Sequence, residues 1–266
     1  MSIKSSLRQS IISIHQLFFW KHYYNIIKLI EPGIFYFTKK GFGKVGDGTY
    51  ILPQELLNEL DNKILLSFGI SDDISFEKDF HSEYPNCKIF AFDPTVNSLP
   101  EENPNINFNK IGLSGKTNIN NQLFTITDIF KKINLGQQNN YIFKIDIEGW
   151  EWGFLNELTL LKINIPIITI ELHFFPLIGK GETLLLPFRF FKKLKILKKI
   201  KDEFYIYHIH ANNYNYIKFK KFEFPTYLEL TLINKNLFTE QIIADVKKLN
   251  SPTIPANPDI QFPFIF

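Results

Sequence analysis

Cysteine is nearly absent from this chain. Cys87 is its single thiol in 266 residues, so a disulfide framework and a zinc site built on several thiolates are both excluded. Flanked by Pro85-Asn86 and Lys88-Ile89, it sits at the mouth of an apolar run and reads as a structural thiol in a reducing compartment. Net charge is also low. Thirty Lys and Arg against 27 Asp and Glu leave +3, well short of the concentrated basic stripe of a nucleic-acid-binding face, and no nucleic-acid partner is expected. Long apolar runs are missing too. The best stretch, from Ser10 to Trp20, is interrupted by His15 and Gln16 and closed by Lys21-His22, whereas a spanning helix wants about 20 apolar residues in a row. It carries no small-residue cleavage site of the secretory kind. The expectation is a cytoplasmic protein whose residues 1–40 form a helical lead-in that packs on the domain or touches a membrane surface. Internal repeats are absent, and so is the G-x-G-x-x-G turn of a pyrophosphate site.

What is present is an ordinary globular composition, 45% hydrophobic and 21% charged, long enough to bury a full core. The wealth of Asn, Lys, Ile and Phe points to an AT-rich genome and not to a function. Lysines cluster between Phe191 and Lys201 with apolar residues at helical spacing, the pattern of a solvated helix face. Three parts follow along the chain: the lead-in at 1–40, a domain at 41–250, and a tail at 251–266 marked by Pro252, Pro255, Pro258 and Pro263.

Within the domain, short apolar runs alternate with helical stretches. Strands are expected at Ile64–Phe68, Lys88–Phe92, Ile106–Asn109, Tyr141–Ile145 and Ile165–Leu172, then at Phe204–Ile209 and Tyr227–Ile233. Helices are expected at Ser75–Tyr84, Thr125–Ile133, Trp150–Leu161, Leu185–Ile200 and Gln241–Leu249. Strands separated by helices imply a largely parallel sheet with right-handed crossovers. No helix is expected between His210 and Tyr227, where Asn212-Asn213-Tyr214-Asn215-Tyr216 reads as loop, which lets the last two strands pair antiparallel. The fold class is therefore α/β: a mostly parallel, seven-stranded Rossmann-like sheet with an antiparallel terminal strand.

In such sheets ligands bind outside the carboxyl ends of the strands, and the polar residues gather there. Ser67-Phe68-Gly69-Ile70 ends the first strand, and Gly69 permits a tight turn and close approach of a ligand. Asp93 ends the second strand, 24 positions on, where a carboxylate suits a ribose diol; an Asp-Pro turn with Pro94 is the plainer reading. Ile111-Gly112-Leu113 follows the third strand and reads equally as a turn or as a cover for an adenine ring. Gly41–Tyr50, with four glycines, reads first as a β-hairpin turned at Asp47-Gly48.

Asp146 and Glu148 flank Ile147 beyond the next strand, so in extended backbone they point the same way. The next strand end carries Glu171 and His173 in the same relation, and the sixth carries His208 and His210, followed by Asn212. Histidine is the natural base near neutral pH. Together Asp146, Glu171, His173 and His210 can line a substrate pocket. Such a set can also hold a divalent metal, which is not part of the expected site.

The residues Gly46-Asp47-Gly48-Thr49-Tyr50, Ser67-Phe68-Gly69-Ile70, Phe90-Ala91-Phe92-Asp93-Pro94, Ile111-Gly112-Leu113 and Lys144-Ile145-Asp146-Ile147-Glu148-Gly149-Trp150-Glu151-Trp152 resemble the FkbM-type methyltransferases. The likeness runs from about Gly46 to His173 and more loosely to Ile233. It departs from the class I pattern at the first glycine motif, where an acid before several glycines is missing. The resemblance implies a class I methyltransferase fold and S-adenosylmethionine as methyl donor. It assigns Asp47, Phe68, Gly69, Asp93, Pro94, Gly112 and Asp146 to the cofactor. Asp146, His173 and His210 become the catalytic candidates, with Glu148, Glu171 and Asn212 facing the substrate. The acceptor implied is a hydroxyl on a sugar, glycan or other small molecule. Two alternatives stand beside it: a nicotinamide oxidoreductase, disfavoured by the absent G-x-G-x-x-G, and a non-catalytic binding module on the same fold.

Overall fold

The structure, a computed structural model, describes residues 29–30, 32–33, 35–46, 49–136, 139–158, 161, 163–173, 186–219 and 222–237, with backbone alone at 186–190, 213–219, 222–224 and 226. The expected helices before residue 29 and at Gln241–Leu249, and the proline-rich tail, lie outside these residues.

The chain first forms a small antiparallel pair, β1 (Lys39–Phe42) and β2 (Tyr50–Pro53), then helix α1 (Gln54–Glu59). The plain hairpin reading of Gly41–Tyr50 therefore holds, although its Asp47-Gly48 tip is outside the described residues. The main alternation is β3 (Lys63–Phe68), α2 (Ser75–Glu83), β4 (Lys88–Phe92), β5 (Ile106–Asn109), two short strands β6 (Gly112–Leu113) and β7 (Leu123–Phe124), α3 (Ile126–Lys132), β8 (Asn140–Ile145), α4 (Glu151–Leu158), β9 (Ile167–His173), α5 (Leu186–Glu203), β10 (Phe204–Phe219) and β11 (Phe222–Asn234).

Seven of these strands form one sheet in the order β10-β11-β9-β8-β3-β4-β5. The pairs β3–β4, β3–β8, β4–β5 and β8–β9 are parallel, and β11 runs antiparallel to both β9 and β10. The strand that is last in the sequence thus lies second from the sheet edge. From β3 the chain moves outward to β4 and β5, then crosses to β8 on the other side. That reversal opens a crevice between the ends of β3 and β8, the place where α/β sheets bind ligands.

One expectation fails here. The two strands do not stop at Ile209 and begin at Tyr227: β10 and β11 form a longer hairpin, paired from Phe204↔Asn234 to Phe219↔Phe222. The Asn-rich segment expected as loop coincides with a register irregularity between Asn212 and Tyr216, and beyond it Tyr216, Ile217 and Phe219 are strand-forming residues.

Two cores flank the sheet. On one face α3, α4 and α5 contribute Ile126, Ile129, Phe154, Leu155, Leu158, Leu197 and Ile200. On the other, α1, α2 and the β1–β2 hairpin bring Leu57, Phe76, Phe80, Phe42 and Leu52. Burying both faces explains why the central strands read as continuous apolar runs. Thr125 caps α3, its Oγ1 accepting from Asp128 N at 3.2 Å, a bond worth about 1 kcal/mol. On α5, Lys192, Lys195, Lys198 and Lys199 are exposed while Leu194, Ile196 and Leu197 are buried, the expected solvated face. No helix among the described residues is long and apolar enough to cross a membrane. Part of the lead-in is joined to the domain: Ile30 is buried in one core, and Gly33 N donates to Ile206 O at 2.8 Å.

Candidate active site

The face of the sheet beneath the β1–β2 hairpin is apolar at its base and polar toward the carboxyl ends of the strands. Register accounts for this. His208, Thr231, Thr169, Lys144 and Ser67 lie side by side across β10, β11, β9, β8 and β3. Two residues further up, His210, Glu229 and Glu171 form a second row, which Asp146 extends just beyond β8. The hairpin covers both rows. Thr231 Oγ1 donates to Ile51 O at 2.6 Å, Tyr50 Oη donates to Asp146 Oδ2 at 3.2 Å, and Lys39 Nζ lies 3.4 Å from His208 Nδ1.

Under the crevice is a buried polar group. Ser67 Oγ donates to Glu77 Oε1, and Lys144 Nζ donates to Gly69 O at 2.7 Å while lying over the Tyr50 ring. Burial raises the Glu77 carboxyl above its usual range, against the opposing pull of Lys144 and Ser67. Helix α2 thus delivers a buried carboxylate, Glu77, to Ser67 on β3.

Gly69 has φ +78°. A Cβ there would fall 1.6 Å from Asp146 O, so the ends of β3 and β8 are pressed together as only glycine permits. The preceding Phe68 contributes only backbone to this edge. Its ring is buried and stacks on Phe92 at 4.6 Å between centroids, because the last residue of β3 points into the helix-covered core. Phe68, assigned to the cofactor by the resemblance, therefore presents its backbone and not its ring at the strand end.

Asp93 follows β4 and is buried. Its Oδ2 accepts from Ile70 N at 3.1 Å and Ser71 N at 2.9 Å; its Oδ1 accepts from Thr95 N at 2.7 Å and Thr95 Oγ1 at 2.6 Å. Burial alone would raise the carboxyl, but these four bonds hold it below its usual range. A carboxylate offers about four acceptor positions, so Asp93 organises the turn after β3. Pro94 and Gly112 meet each other: a Cβ on Gly112 would lie 2.8 Å from Pro94 Cγ and 2.8 Å from Leu123 Cδ2. Gly112 thus sits in a β6–β7 pair that closes over Pro94. Asp47 lies outside the described residues.

The argument that Asp146 and Glu148 share a face requires extended backbone, and the structure departs from it. Glu148 has φ +51° and Gly149 φ +101°, a left-handed turn that reverses the chain into α4. Glu148 consequently stands at the rim, 86% exposed, with Oε2 at 3.1 Å from His173 Nε2. The residue that organises the turn is Glu151, whose Oε1 accepts from Ile147 N at 3.2 Å and Gly149 N at 2.9 Å. Its side chain is 0% exposed and also lies 2.9 Å from His173 Nδ1. In the sequence Glu151 stands in the Lys144–Trp152 motif with no role assigned to it; its signal was an acid in the first turn behind a glycine. Tyr50 was passed over as well.

Glu171 and His173, on β9, do share a face. His173 Nε2 is 3.7 Å from Glu171 Oε2, and Asn212 Nδ2 donates to Glu171 Oε1 at 3.0 Å. Trp152 Nε1 donates to His173 O at 2.9 Å, fastening α4 to the end of β9. Burial, then the charge of Asp146, push the Glu171 carboxyl upward. Burial works against a charged His173, yet Glu151, Glu171 and Asp146 raise its imidazole. Both shifts have one source: carboxylates crowd here with little solvent, and the cluster holds on to a proton. Tyr50, its phenol raised by burial and by Asp146, stays a donor. His210 is further out on the same row, 46% exposed, with Nδ1 at 3.5 Å from Glu229 Oε2. Asp146, Glu171 and His173 come together, each offering one ligand atom within 4.8 Å of the others.

No curated protein matches the chain. Among solved structures, a putative S-adenosylmethionine-dependent methyltransferase from Listeria monocytogenes is 11% identical, with a TM-score of 0.38 over 68% of this chain and 96% of that one. A putative ribosomal RNA methyltransferase from Plasmodium falciparum is 16% identical, with a TM-score of 0.37 over 68% and 90%. The fibrillarin pre-rRNA processing protein of Methanococcus jannaschii is 14% identical, at 0.37 over 74% and 83%. These likenesses are too distant to bear on activity. The sequence profile of the methyltransferase FkbM domain, by contrast, matches residues 30–216, a span that contains the crevice, the turn around Glu151 and the polar residues of both rows except those on β11, Thr231 and Glu229. The chain belongs to the FkbM methyltransferase family, a family of S-adenosylmethionine-dependent methyltransferases with the class I fold.

Proposed function

We propose that this protein transfers a methyl group from S-adenosylmethionine to a hydroxyl oxygen of a sugar, glycan or other small-molecule acceptor. The observation that carries the reading is the meeting of Asp146, Glu171 and His173 beside the Gly69 turn, at the β3–β8 crevice. The donor set fits the cofactor. Asp93 and Thr95 offer hydrogen-bonding groups for a ribose at the end of β4, and the carboxylates beyond β8 and β9 suit a positive sulfonium. When bound, S-adenosylmethionine supplies the methyl group on that sulfonium. Gly69, Asp93, Pro94, Gly112 and Asp146 hold the cofactor, and the family resemblance adds Asp47 to them.

The protein's own part is to position and deprotonate. Glu148 and Asn212 flank the opening, and with Glu171 they orient the acceptor. Asp146 and His173 act on its oxygen, and His210 stands at the far end of the row beside Glu229. Alignment of oxygen and methyl group contributes the larger share of the rate, and proton removal a further factor of about 10²–10⁴.

The test is calorimetric titration of wild type and Asp93→Ala with S-adenosylmethionine, and separately with NADH and NADPH. Micromolar binding of S-adenosylmethionine that Asp93→Ala abolishes supports the reading. No binding, or a preference for a nicotinamide, ends it. Radiolabelled methyl transfer to sugar hydroxyls then tests the acceptor, with RNA as the competing substrate. Asp146→Asn should fold normally while losing transfer; full activity would remove Asp146 from its role.

A further inference from the structure

We propose that Asp146, Glu171 and His173 form a binding site for a divalent cation of intermediate hardness such as Mn²⁺. The inference rests on the methyltransferase reading for its purpose but not for its geometry.

Three observations support it. First, the donors are two carboxylates and one imidazole, from the ends of adjacent strands, with ligand atoms within 4.8 Å of one another. Bonds of about 2.0–2.2 Å from a cation to each allow donor atoms up to about 4.4 Å apart, so the three close on a cation by less than about 1 Å of movement. A mixed oxygen and nitrogen set without thiolate suits Mn²⁺ better than Ca²⁺ or a soft metal.

Second, each ligand is braced from behind by another side chain. Tyr50 Oη donates to Asp146 Oδ2, Asn212 Nδ2 donates to Glu171 Oε1, and Glu151 Oε1 faces His173 Nδ1 at 2.9 Å. Glu171 Oε2 and His173 Nε2, 3.7 Å apart, are turned toward each other. Outer partners of this kind orient metal ligands and fix the histidine tautomer. The Glu151–His173 pair is the closest of them; with a cation bound, Nε2 offers its lone pair while the proton stays on Nδ1, toward Glu151.

Third, Glu151 is 0% exposed and its second oxygen, Oε2, has no hydrogen-bond partner among the described residues. A buried carboxylate is costly without compensation. A cation on His173 Nε2 offsets that cost by adding positive charge on the ring that faces the Glu151 carboxylate. In this structure the exposed Glu148 carboxylate sits 3.1 Å from Nε2, at the position a cation takes, and being at the rim it is free to swing aside.

The ligand class follows. A cation here leaves coordination positions open toward the crevice, and adjacent hydroxyls of a sugar-like acceptor can fill them. Coordination lowers the pKa of a bound oxygen acid. Asp146 and His173 then act on the acceptor through the cation and not by direct contact.

The experiment is a titration of the full chain with MnCl₂, read by loss of the free Mn²⁺ signal in electron paramagnetic resonance. It is run on wild type, Glu171→Gln, Asp146→Asn and Glu151→Gln, with S-adenosylmethionine calorimetry and thermal unfolding on the same samples. The expected result is one Mn²⁺ per chain at micromolar affinity, weakened at least 100-fold in Glu171→Gln or Asp146→Asn and about 10–100-fold in Glu151→Gln, which keeps all three ligands. Absence of Mn²⁺ binding by a wild-type protein that still binds S-adenosylmethionine overturns the cation site and leaves the methyltransferase reading standing. Binding that is unchanged in folded Glu171→Gln and Asp146→Asn also overturns it, since the ion is then elsewhere. Mn²⁺ binding with the expected losses, but no affinity for S-adenosylmethionine, keeps the site and removes the methyltransferase reading.

Discussion

The carbonyl oxygen of Asp146 stands 1.6 Å from the point where a Cβ on Gly69 would lie, and Asp146 N donates to Phe68 O at 2.9 Å. The two strand ends that frame the crevice are thus held at a separation only a glycine allows. Gly69→Ala should destabilise the protein by several kcal/mol and abolish cofactor binding, because the strand ends must part. Gly149→Ala is the comparison. Gly149 also has a positive φ, +101°, but nothing lies within 4 Å of its Cβ position, so its cost is backbone strain alone, about 1–3 kcal/mol. Denaturant unfolding of the two variants checks this; equal losses would show that strain and not contact governs Gly69.

A second glycine pair locks the loop after β6 to α4. A Cβ on Gly153 would lie 2.7 Å from Gly115 N, and one on Gly115 would lie 2.5 Å from Gly153. In an ordinary helix, alanine in place of glycine gains about 1 kcal/mol. Gly153→Ala should instead lose about 1–3 kcal/mol, the usual cost of overpacking. A stabilised variant by thermal unfolding would contradict the contact.

Asp93 accepts four hydrogen bonds, and its carboxyl lies below its usual range. Its folded-state pKa is depressed, so its contribution to stability is present above the unfolded carboxyl value, near 3.9, and is lost as pH falls through the folded one. Asp93→Asn turns an amide NH₂ toward N–H donors. It should cost about 1–3 kcal/mol at pH 7 and flatten this part of the acid-unfolding curve. An unchanged curve would mean that the turn after β3 does not depend on the charge.

His208 titrates in the opposite sense from a paired histidine. Burial first, then Lys39 and His210, push its imidazole down to about 3. It is neutral in the folded chain, while an unfolded histidine takes up a proton near pH 6.5. Stability should therefore fall as pH drops from about 6.5 toward 3, by about 1–2 kcal/mol at pH 5. His208→Gln should remove that slope without changing stability at pH 8. Guanidinium unfolding at pH 5 and pH 8 reads the difference; an equal slope in the variant would place the effect elsewhere.

Much of the site was legible because chemistry-bearing residues cluster at strand ends. Asp93, Asp146, Glu171 and His173 stand where an α/β reading puts them, and the parity argument holds for Glu171 and His173, which lie within β9. It fails for Asp146 and Glu148, because parity assumes extended backbone and the turn at Glu148-Gly149 is left-handed. Glu151 and Tyr50 were missed for a different reason: their roles are set by partners distant in sequence, His173 in one case and Asp146 in the other. The full length of the β10–β11 hairpin was missed because the Asn-rich stretch at 212–215 interrupts the pattern ahead of the strand-forming Tyr216, Ile217 and Phe219.

The sequence by itself determined the α/β class, the seven strands and the family, since these follow from apolar periodicity and from local motifs such as Lys144–Trp152. Tertiary structure alone decided which polar residues meet. Register across β10, β11, β9 and β8 aligns His210, Glu229 and Glu171 and brings Asp146 to the end of the row. The hairpin covers that row with Tyr50, and the turn into α4 buries Glu151 behind His173. Strand propensity depends on near neighbours along the chain, whereas register and burial depend on all of the chain at once.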